Sequence, residues 1–565
     1  MKQVSDKVKQ IVQQLFNIND VDINLTRPEP QFGDFSTNVA MQLSKQLGKN
    51  PREIAEQLIN ELKLTDEFAE VSIAGPGFIN LKIKDKILTE ELQKIINNPS
   101  KYGKSDIYND KVVLTEYSDP NPFKVLHVGH FYTSVIGDAI SNLIEYAGGN
   151  VHRVNFGGDV GLHVAKTLWA MFRDFGGENI DKLLAIEKSK QMEFIASCYV
   201  EGTRAYEDIE DAKSEITALN KKIYQIHIDN DHESPLAQIY WTCRQWSYDY
   251  FNDFYNRIGT KFEKYYPESE IAALGLATVL EQKEKGVYTE SNGAVVFEGE
   301  PYGLHTRVFV NKEGLPTYEA KDVGLSIKKW QDYHYDQSVI ITGNDIIEYM
   351  KVVLKSIEQF KPELSSRTKH ITHGNVKLVG GVKMSSRKGN FLRATDVLDM
   401  VADANEAAQG NRDDAPILGA IKYAFLKFKI GADSSFDPKE SVSIQGNSGP
   451  YLQYALARAK SIIKNIDSKN IDFNSLSDNY TKYERDLLFK ITEYTDVIQQ
   501  ATIELTPHIL CTYLYELAQI FNRFYENSRV IGDERENIRL YLVMAYVTIL
   551  SNGLKVLGIP TPEKM

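Results

Sequence analysis

The sequence predicts an α/β protein with a central parallel-sheet domain between a small N-terminal α/β domain and a C-terminal all-α helical bundle. Short apolar runs ending in glycine or polar turns recur mid-chain, as in strands buried on both faces of a parallel sheet. Residues 71–83 alternate about a glycine-rich turn, which indicates a strand pair. From about residue 441 only helical spacing remains. The predicted domains are therefore 1–108, 109–440 and 441–565.

Composition indicates a globular cytoplasmic protein. The chain has 565 residues, of which 42% are hydrophobic and 25% charged, in the usual range for such proteins. Cys198, Cys243 and Cys511 are widely spaced, which predicts reduced thiols and argues against structural zinc. The N-terminus is too polar for a signal peptide, and the apolar run 540–550 is too short to span a bilayer.

The net charge of −12 does not exclude a nucleic-acid partner, because phosphate contacts depend on local patches. Residues 441–565 are nearly neutral, whereas the acidic excess lies before them. The C-terminal part therefore permits an RNA contact without establishing one.

The N-terminal domain should begin with an amphipathic helix. Asn50, Pro51 and Glu53 then suit the N-cap, first and third positions of another helix. The aromatic and glycine-containing loop 32–36 has no obvious catalytic partner. These residues alone favour a packing domain.

The stretch 111–130 has the pattern of a phosphate-binding turn between a strand and a helix. An apolar run ends at Glu116, a turn follows, and His127 and His130 share the first turn of a long helix. Amides at a helix N-terminus favour an anion there. Gly129 would let an adenine or ribose approach the backbone. Two histidines at this spacing are, on their own, more often caps or solvent-exposed groups.

Residues 379–390 form a second candidate element, a cationic loop flanked by glycines. Lys383, Arg387 and Lys388 surround Ser385 and Ser386. Such a loop suits a mobile clamp that closes on a polyphosphate. Taken alone, it could equally be a solvated basic turn.

Between these two stretches, strand patterns and helical patterns alternate along the chain. A strand ending in Gly157-Gly158-Asp159 could let a ligand approach or could simply turn. A helical insertion is predicted over about 162–300, and its dense aromatics are more typical of core than of a base-stacking surface. Strand patterns return at 294–297 and 306–310.

Three further candidates follow the insertion. Tyr318 and Asp322 would share one helix face. An apolar strand ends at Gly343 and Asp345, a second candidate ligand edge. His373 is a possible neighbour of a nucleotide, although a lone histidine at a strand end is more often structural.

Together the HVGH and KMSSR stretches, about 250 residues apart, resemble the two signatures of class I aminoacyl-tRNA synthetases. The runs FGDFSTN, LPTYEAKDVG, IQGNSGPYLQYALAR and LGIPTPEKM resemble the arginyl-tRNA synthetase family over essentially the whole chain. The resemblance implies a Rossmann-type catalytic domain, a tRNA-binding N-terminal domain and a helical domain that reads the anticodon region.

The resemblance also implies roles for individual residues. A guanidinium is planar, permanently charged and carries five donors, so its pocket needs carboxylates. The arginine-binding residues implied are Glu116, Ser118, Asn121, Tyr318 and Asp322. The ATP-binding residues implied are Pro120, Lys124, Gly129, Gly343, Asp345, His373, Met384, Ser385 and Ser386. The catalytic residues implied are His127, His130, Lys383 and Arg387. Ile346 and Tyr349 depart from the pattern, where many members have glutamine and histidine.

The implied reaction uses ATP, with Mg²⁺, to activate L-arginine and then transfers it to tRNA-Arg, with tRNA needed for activation. The resemblance implies a monomer, with no DNA or membrane partner and no metal held by the protein. Two alternatives stay open, a class I lysyl-tRNA synthetase and a synthetase-like RNA-binding paralogue without activity.

Overall fold

The computed structural model describes residues 2–379, 392–464 and 479–565. The chain divides into two compact units. The first unit comprises Met1–Gly103, Ala455–Gln500 and Tyr513–Asn552, and the second comprises Lys104–Tyr454, Ala501–Thr512 and Gly553–Met565. The first unit thus joins N-terminal residues to much of the C-terminal helical region, a grouping that the linear order of three predicted domains did not anticipate.

The secondary structure is mostly helical. The helices are α1 Lys2–Phe16, α2 Val39–Leu47, α3 Pro51–Leu62, α4 Asp85–Asn97, α5 Val128–Tyr146, α6 Leu162–Phe175, α7 Ile180–Leu184, α8 Gln191–Asp208, α9 Glu210–Ile228, α10 Pro235–Ile258, α11 Glu268–Glu284, α12 Tyr318–Tyr333, α13 Ile347–Glu358, α14 Pro362–Arg367, α15 Ala394–Gln409, α16 Asp414–Leu426, α17 Pro438–Ser441, α18 Gly449–Lys464, α19 Lys482–Thr492, α20 Tyr494–Glu504, α21 Pro507–Asn527 and α22 Glu536–Val556. The strands are β1 Leu25–Thr26, β2 Phe35–Thr37, β3 Phe68–Ala74, β4 Phe78–Ile83, β5 Val112–Glu116, β6 Asn150–Gly157, β7 Lys264–Pro267, β8 Thr289–Ser291, β9 Ala294–Phe297, β10 Arg307–Val310, β11 Gln337–Gly343, β12 Thr368–His373, β13 Val376–Leu378 and β14 Ser434–Phe436.

The second unit is built on a five-stranded parallel sheet with the strand order β12-β11-β5-β6-β7. The first strand along the chain, β5, lies in the middle, and the order reverses between β5 and β11. Ligands of such sheets bind at this reversal, outside the carboxyl ends of the strands. The predicted α/β class and its Rossmann-type parallel sheet are confirmed.

Helix α5 follows β5 and is almost entirely buried. Its Gly137 packs directly against the ring of Tyr117, which leaves no room for a side chain at that position. This close packing fixes the start of α5 near the carboxyl end of β5.

The insertion is helical through α10, and helix α11 follows strand β7. Its aromatic residues Tyr240, Phe251, Phe254 and Tyr255 are buried, so the core interpretation is correct. Strand β7 then adds the fifth parallel strand, and β10-β9-β8 form an antiparallel sheet. The predicted helical span of about 162–300 missed β7, because its four residues include a lysine and a proline and show no apolar run.

The first unit contains an antiparallel sheet with the order β1-β2-β4-β3, in which β3 pairs with β4 as predicted. Asn50 caps α3 by accepting a hydrogen bond from the Arg52 amide, with Pro51 in the first turn. In the loop 32–36, Asp34 is buried and accepts two hydrogen bonds from the Arg485 guanidinium, at 2.8 and 2.9 Å. This loop therefore ties the sheet to α19.

After β14 every element in the described part of the chain is a helix, which agrees with the predicted C-terminal all-α region. Within those same ranges, no helix has the length and apolarity that crossing a bilayer requires.

Candidate active site

The loop between β5 and α5 follows an unusual path at the reversal point of the sheet. Ser118, Asp119 and Phe123 all have positive φ angles, of 73°, 47° and 65°. Non-glycine residues rarely adopt this conformation, and it persists where surrounding contacts enforce it. The hydroxyls of Ser118 and Tyr255 lie 2.8 Å apart, and the Phe156 amide donates to Asp119 at 2.8 Å. The strained loop is therefore held by the elements around it.

The two glycines at the end of β6 make room for this loop. A Cβ on Gly157 would lie 2.6 Å from the Pro120 carbonyl oxygen, and one on Gly158 would lie 2.7 Å from Asn121 Oδ1. The Gly158 amide donates to that same Asn121 oxygen at 2.8 Å. The two glycines therefore allow the loop between β5 and α5 to lie close against the end of β6.

His127 and His130 form a stacked pair at the start of α5, with ring centroids 3.8 Å apart. Nδ1 of His127 accepts from the Gly129 amide at 3.0 Å, and Nδ1 of His130 accepts from the His127 amide at 3.2 Å. A Cβ on Gly129 would lie 2.8 Å from the His127 ring, so the glycine is needed for this cap. The sequence predicted that an adenine or ribose could approach the backbone at Gly129. In the structure the His127 ring occupies that space.

Both imidazoles are neutral at physiological pH. Burial, with Lys124 nearby, lowers the pKa of His127 to about 4. Burial and the neighbouring His127 hold the pKa of His130 well below its usual range. Because each Nδ1 accepts a hydrogen bond, each neutral ring carries its proton on Nε2. The pair therefore offers N–H donors rather than positive charges.

A cavity of about 920 Å³ opens beside the two histidines. Its wall includes Asn121, Lys124 and Arg393 together with one face of α8. The Lys124 ammonium lies 4.7 Å from the centroid of the Tyr199 ring. The cavity wall combines neutral donors and four cations, Lys124, Arg173, Arg204 and Arg393, with the three carboxylates Glu193, Glu201 and Asp208 on α8. The donors and cations at the start of α5 suit a phosphorylated ligand.

Four carboxylates, Glu116, Asp119, Glu268 and Asp322, form a cluster in which they act on one another electrostatically, and two of them have lysine partners. Lys329 Nζ lies 2.5 Å from Glu116, with both side chains buried. Lys321 Nζ lies 2.5 Å from Glu268, in an equally buried pair. In each pair the two charges balance within the fold.

The other two carboxylates, Asp119 and Asp322, have no cation within 4 Å among the described residues. Asp322 instead accepts a hydrogen bond from the Tyr349 hydroxyl. Burial, with Glu116 as a further cause, raises the pKa of Asp322 to about 7. Burial and Glu116 also hold the pKa of Asp119 well above its usual range. The described cluster therefore has two carboxylates more than it has lysines, and it suits a ligand with two cationic groups.

The remaining predicted residues are placed in different ways. Gly343 ends β11 at the reversal point, and Asp345 beyond it is exposed. Tyr318 begins α12 and is 55% exposed, although its ring lies 5.2 Å from Lys321 Nζ. His373 is buried, with Nδ1 2.8 Å from the Gly374 carbonyl and Nε2 2.7 Å from the Thr133 hydroxyl. Both its nitrogens are therefore engaged in the fold, as a structural histidine would be.

Residues Lys383, Met384, Ser385, Ser386 and Arg387 lie outside the described residues. Sequence reasoning missed Asp119, Glu268, Lys321 and Lys329. For Lys329 a signal existed, because it stands seven residues after Asp322 and so shares its face of α12. The partner it would meet, 213 residues earlier, was not visible in the sequence.

Comparisons with known proteins agree over the whole chain. Residues 91–420 match the family described as "tRNA synthetases class I (R), catalytic domain". Residues 2–83 match "Arginyl tRNA synthetase N terminal domain", and residues 452–565 match "DALR anticodon binding domain".

Similar proteins carry the same specificity in their names. An arginine–tRNA ligase of Borreliella afzelii is 29% identical, over 100% of this chain and 99% of its own length. The arginyl-tRNA synthetase structure of Thermus thermophilus superposes with a TM-score of 0.79 at 24% identity, covering all of both chains. That of Plasmodium falciparum gives 0.78 at 23% identity, over 100% of this chain and 99% of its own. At these identities the two structures establish the fold alone, and neither the lysyl nor the inactive alternative is favoured.

Proposed function

This chain belongs to the arginyl-tRNA synthetase family of class I enzymes, and from that premise we propose which of its residues bind arginine, bind ATP and promote ligation. The activity is that of an arginine–tRNA ligase. An oxygen of the arginine carboxylate attacks the α-phosphorus of ATP, and the bond to pyrophosphate breaks. A ribose hydroxyl at the 3′ end of tRNA-Arg then attacks the activated carbonyl, loses its proton and releases AMP.

The observation that supports the residue assignment is the surplus of two carboxylates beside the neutral histidine pair. Free arginine carries a guanidinium and an α-ammonium, so the two partly buried acidic groups Asp119 and Asp322 match its two cations. A substrate without the guanidinium would leave one buried carboxylate unpaired, which is a strong basis for rejection.

In this assignment Asp322 binds the guanidinium directly. Glu116 contributes negative potential, while Lys329 compensates most of its burial cost. Ser118 and Asn121 shape the pocket through the strained loop, and Tyr318 closes its exposed side. Asp119 is a candidate acceptor for the α-ammonium.

ATP is proposed to bind in the cavity along the start of α5. The residues assigned to it are Pro120, Lys124, Gly129, Gly343 and Asp345, with Met384, Ser385 and Ser386 from the KMSSR loop. His373 contributes by holding Thr133 of α5 rather than by direct contact.

Catalysis requires positioning and stabilisation of charge, since no covalent intermediate with the enzyme is needed. The Nε2–H groups of His127 and His130 would donate to the oxygens of the reacting α-phosphate, where negative charge develops. Lys383 and Arg387 would neutralise the departing pyrophosphate.

Further features of the enzyme are proposed. Mg²⁺ would enter with the ATP phosphates and neutralise their charge, with no protein ligand assigned to it. A cytoplasmic location is supported by Cys198, Cys243 and Cys511, which are free and buried. The family resemblance favours a monomer. Residues 1–108 and 441–565 are proposed to contact tRNA, consistent with the families that match there.

Arginine-dependent exchange between ATP and pyrophosphate, with and without tRNA-Arg, tests this proposal. We expect exchange with arginine only when tRNA is present. Exchange without tRNA would keep the site assignment and remove the tRNA requirement. Exchange with lysine in place of arginine would contradict the pocket.

A further inference from the structure

Tyr349, which the family resemblance marked as a departure from the expected histidine, has a specific partner in the structure. It lies in the first turn of α13, and its hydroxyl donates to Oδ2 of Asp322 on α12. Burial, with Asp322 as a further cause, holds the pKa of Tyr349 well above its usual range. The phenol therefore keeps its proton and acts as a donor to the carboxyl.

No other side chain in the described ranges donates a hydrogen bond to the Asp322 carboxyl. Arg307 lies 5.3 Å from the centroid of the Tyr349 ring and pairs with Glu319 at 3.2 Å, and among the described residues it makes no ion pair with Asp322. Lys329 is committed to Glu116. Oδ1 of Asp322 thus has no internal hydrogen-bond donor in this part of the structure.

We propose that Tyr349 is a positioning residue that determines arginine specificity: it fixes one oxygen of Asp322 and leaves the other for the substrate guanidinium. This inference rests on the proposed place of Asp322 in the arginine pocket. A carboxylate held on one side by a rigid aromatic side chain loses little freedom when a planar guanidinium binds its other side.

The phenol also controls the protonation of Asp322. The groups that act on this carboxyl or on Tyr349 are Glu116 of β5, Asp119 of the following loop, Glu268 of α11, Arg307 of β10, and Glu319 and Lys329 of α12. Glu116 and Glu268 raise the pKa of Asp322, whereas the Tyr349 hydrogen bond and Lys329 lower it. Near neutral pH, part of the enzyme then carries Asp322 as the acid. Binding of arginine converts it to the carboxylate, and the proton leaves to the buffer.

Tyr349→Phe should weaken arginine binding most at neutral and lower pH. Without the phenol the pKa of Asp322 rises, so less carboxylate is present at pH 7. The arginine KM should increase about tenfold at pH 7, as expected for one lost hydrogen bond to a charged group. The increase should shrink toward pH 9, where the carboxyl is ionised in both proteins, and kcat should change by less than about twofold.

Tyr288→Phe is the matched control. Tyr288 is also buried, and its hydroxyl bonds to Ser356 of α13 at 3.1 Å. This variant removes a phenol that contacts the same helix but no carboxylate, and its arginine KM should equal that of the wild type at every pH. An equal KM defect in both variants would overturn the inference, as would a defect in Tyr349→Phe that is independent of pH.

Two further measurements separate the possible failures. If Asp322→Asn leaves the arginine KM unchanged, the proposed pocket is wrong and the inference fails with it. If Asp322→Asn raises KM and Tyr349→Phe does not, the inference alone is wrong. In the wild type, titration calorimetry of arginine at pH 6.5 in buffers of different ionisation enthalpy should reveal proton release that falls close to zero at pH 8. Heats that do not depend on the buffer at pH 6.5 would overturn the inference without any variant.

Discussion

Glu116 and Asp322 are two acidic side chains of one cluster, and their internal partners are of opposite kinds. Glu116 ends β5 and has a lysine partner 2.5 Å away, whereas Asp322 on α12 has a phenol and no cation within the described residues. The sequence had assigned both to the substrate guanidinium. The comparison shows that an internal counter-ion distinguishes a carboxylate that maintains the fold from one that is available to a ligand.

The same distinction separates Glu268 from Asp119. Glu268 is neutralised by Lys321, while Asp119 accepts a hydrogen bond from the Phe156 amide. Carboxylates that are buried without a cation lower the free energy of unfolding. Such groups are typical of functional sites. In the proposed assignment, the positive charges of the substrate would complete this cluster.

The largest expected effect comes from breaking the balanced pair. Lys329→Met leaves the Glu116 charge buried and alone, which should cost about 3–5 kcal/mol of unfolding free energy. Urea unfolding measures this loss. Lys328→Met is the control, because Lys328 pairs with Asp332 at the surface and should contribute less than about 1 kcal/mol. Equal losses in the two variants would contradict the role given to the buried pair.

Removing a histidine donor should affect turnover. His130→Ala is expected to lower kcat by about 100- to 1,000-fold, the usual effect of losing one preorganised donor, with a smaller change in arginine KM. Steady-state aminoacylation provides both constants. His152→Ala, which removes a partner of Glu263 at the partly exposed start of β6, should retain wild-type turnover. Wild-type kcat in His130→Ala would refute the assigned role.

Asp322→Asn should weaken arginine binding without lowering the free energy of unfolding. The arginine KM should rise about 10- to 100-fold through loss of a charged hydrogen bond. Stability in urea should stay equal or increase, since an uncompensated buried charge is removed. A loss of stability like that of Lys329→Met would show that Asp322 has an internal cation after all.

The smallest expected effect is spectroscopic. In ¹⁵N NMR spectra of histidine-labelled enzyme, His127 and His130 should remain neutral with the proton on Nε2 at pH 6, and His127 should titrate near pH 4. The pKa of His127 is lower in the folded protein than in the unfolded chain, so the unfolded chain binds a proton first as the pH falls. His127 therefore lowers the free energy of unfolding as the pH decreases from 6.5 to about 4. A midpoint near 6.5 for either ring would contradict the capped, neutral pair.

Sequence patterns predicted the structural elements that depend on residues close to one another in the chain. The turn between β5 and α5 and the first turn of α5 could be predicted because a buried strand, a turn and a helical period follow one another within twenty residues. Asn50 and Pro51 likewise predicted the start of α3 from capping chemistry alone.

Pairings between distant residues were beyond such patterns. The contact between Glu116 and Lys329 depends on the packing of α12 beside the parallel sheet, and the position of β7 depends on its pairing with β6. Tyr349 was recognised only as a departure from a pattern. Its partner could be identified only when α12 and α13 were seen side by side.

The central claim is that surplus negative charge selects the substrate, and calorimetric titration of the wild-type enzyme with L-arginine and L-citrulline at pH 8 tests it most directly. Citrulline has nearly the same shape as arginine, but its neutral ureido group cannot compensate Asp322. We predict that citrulline binds at least about 100-fold more weakly than arginine, as expected when a buried charge loses its partner. Affinities within about tenfold of each other would contradict the account.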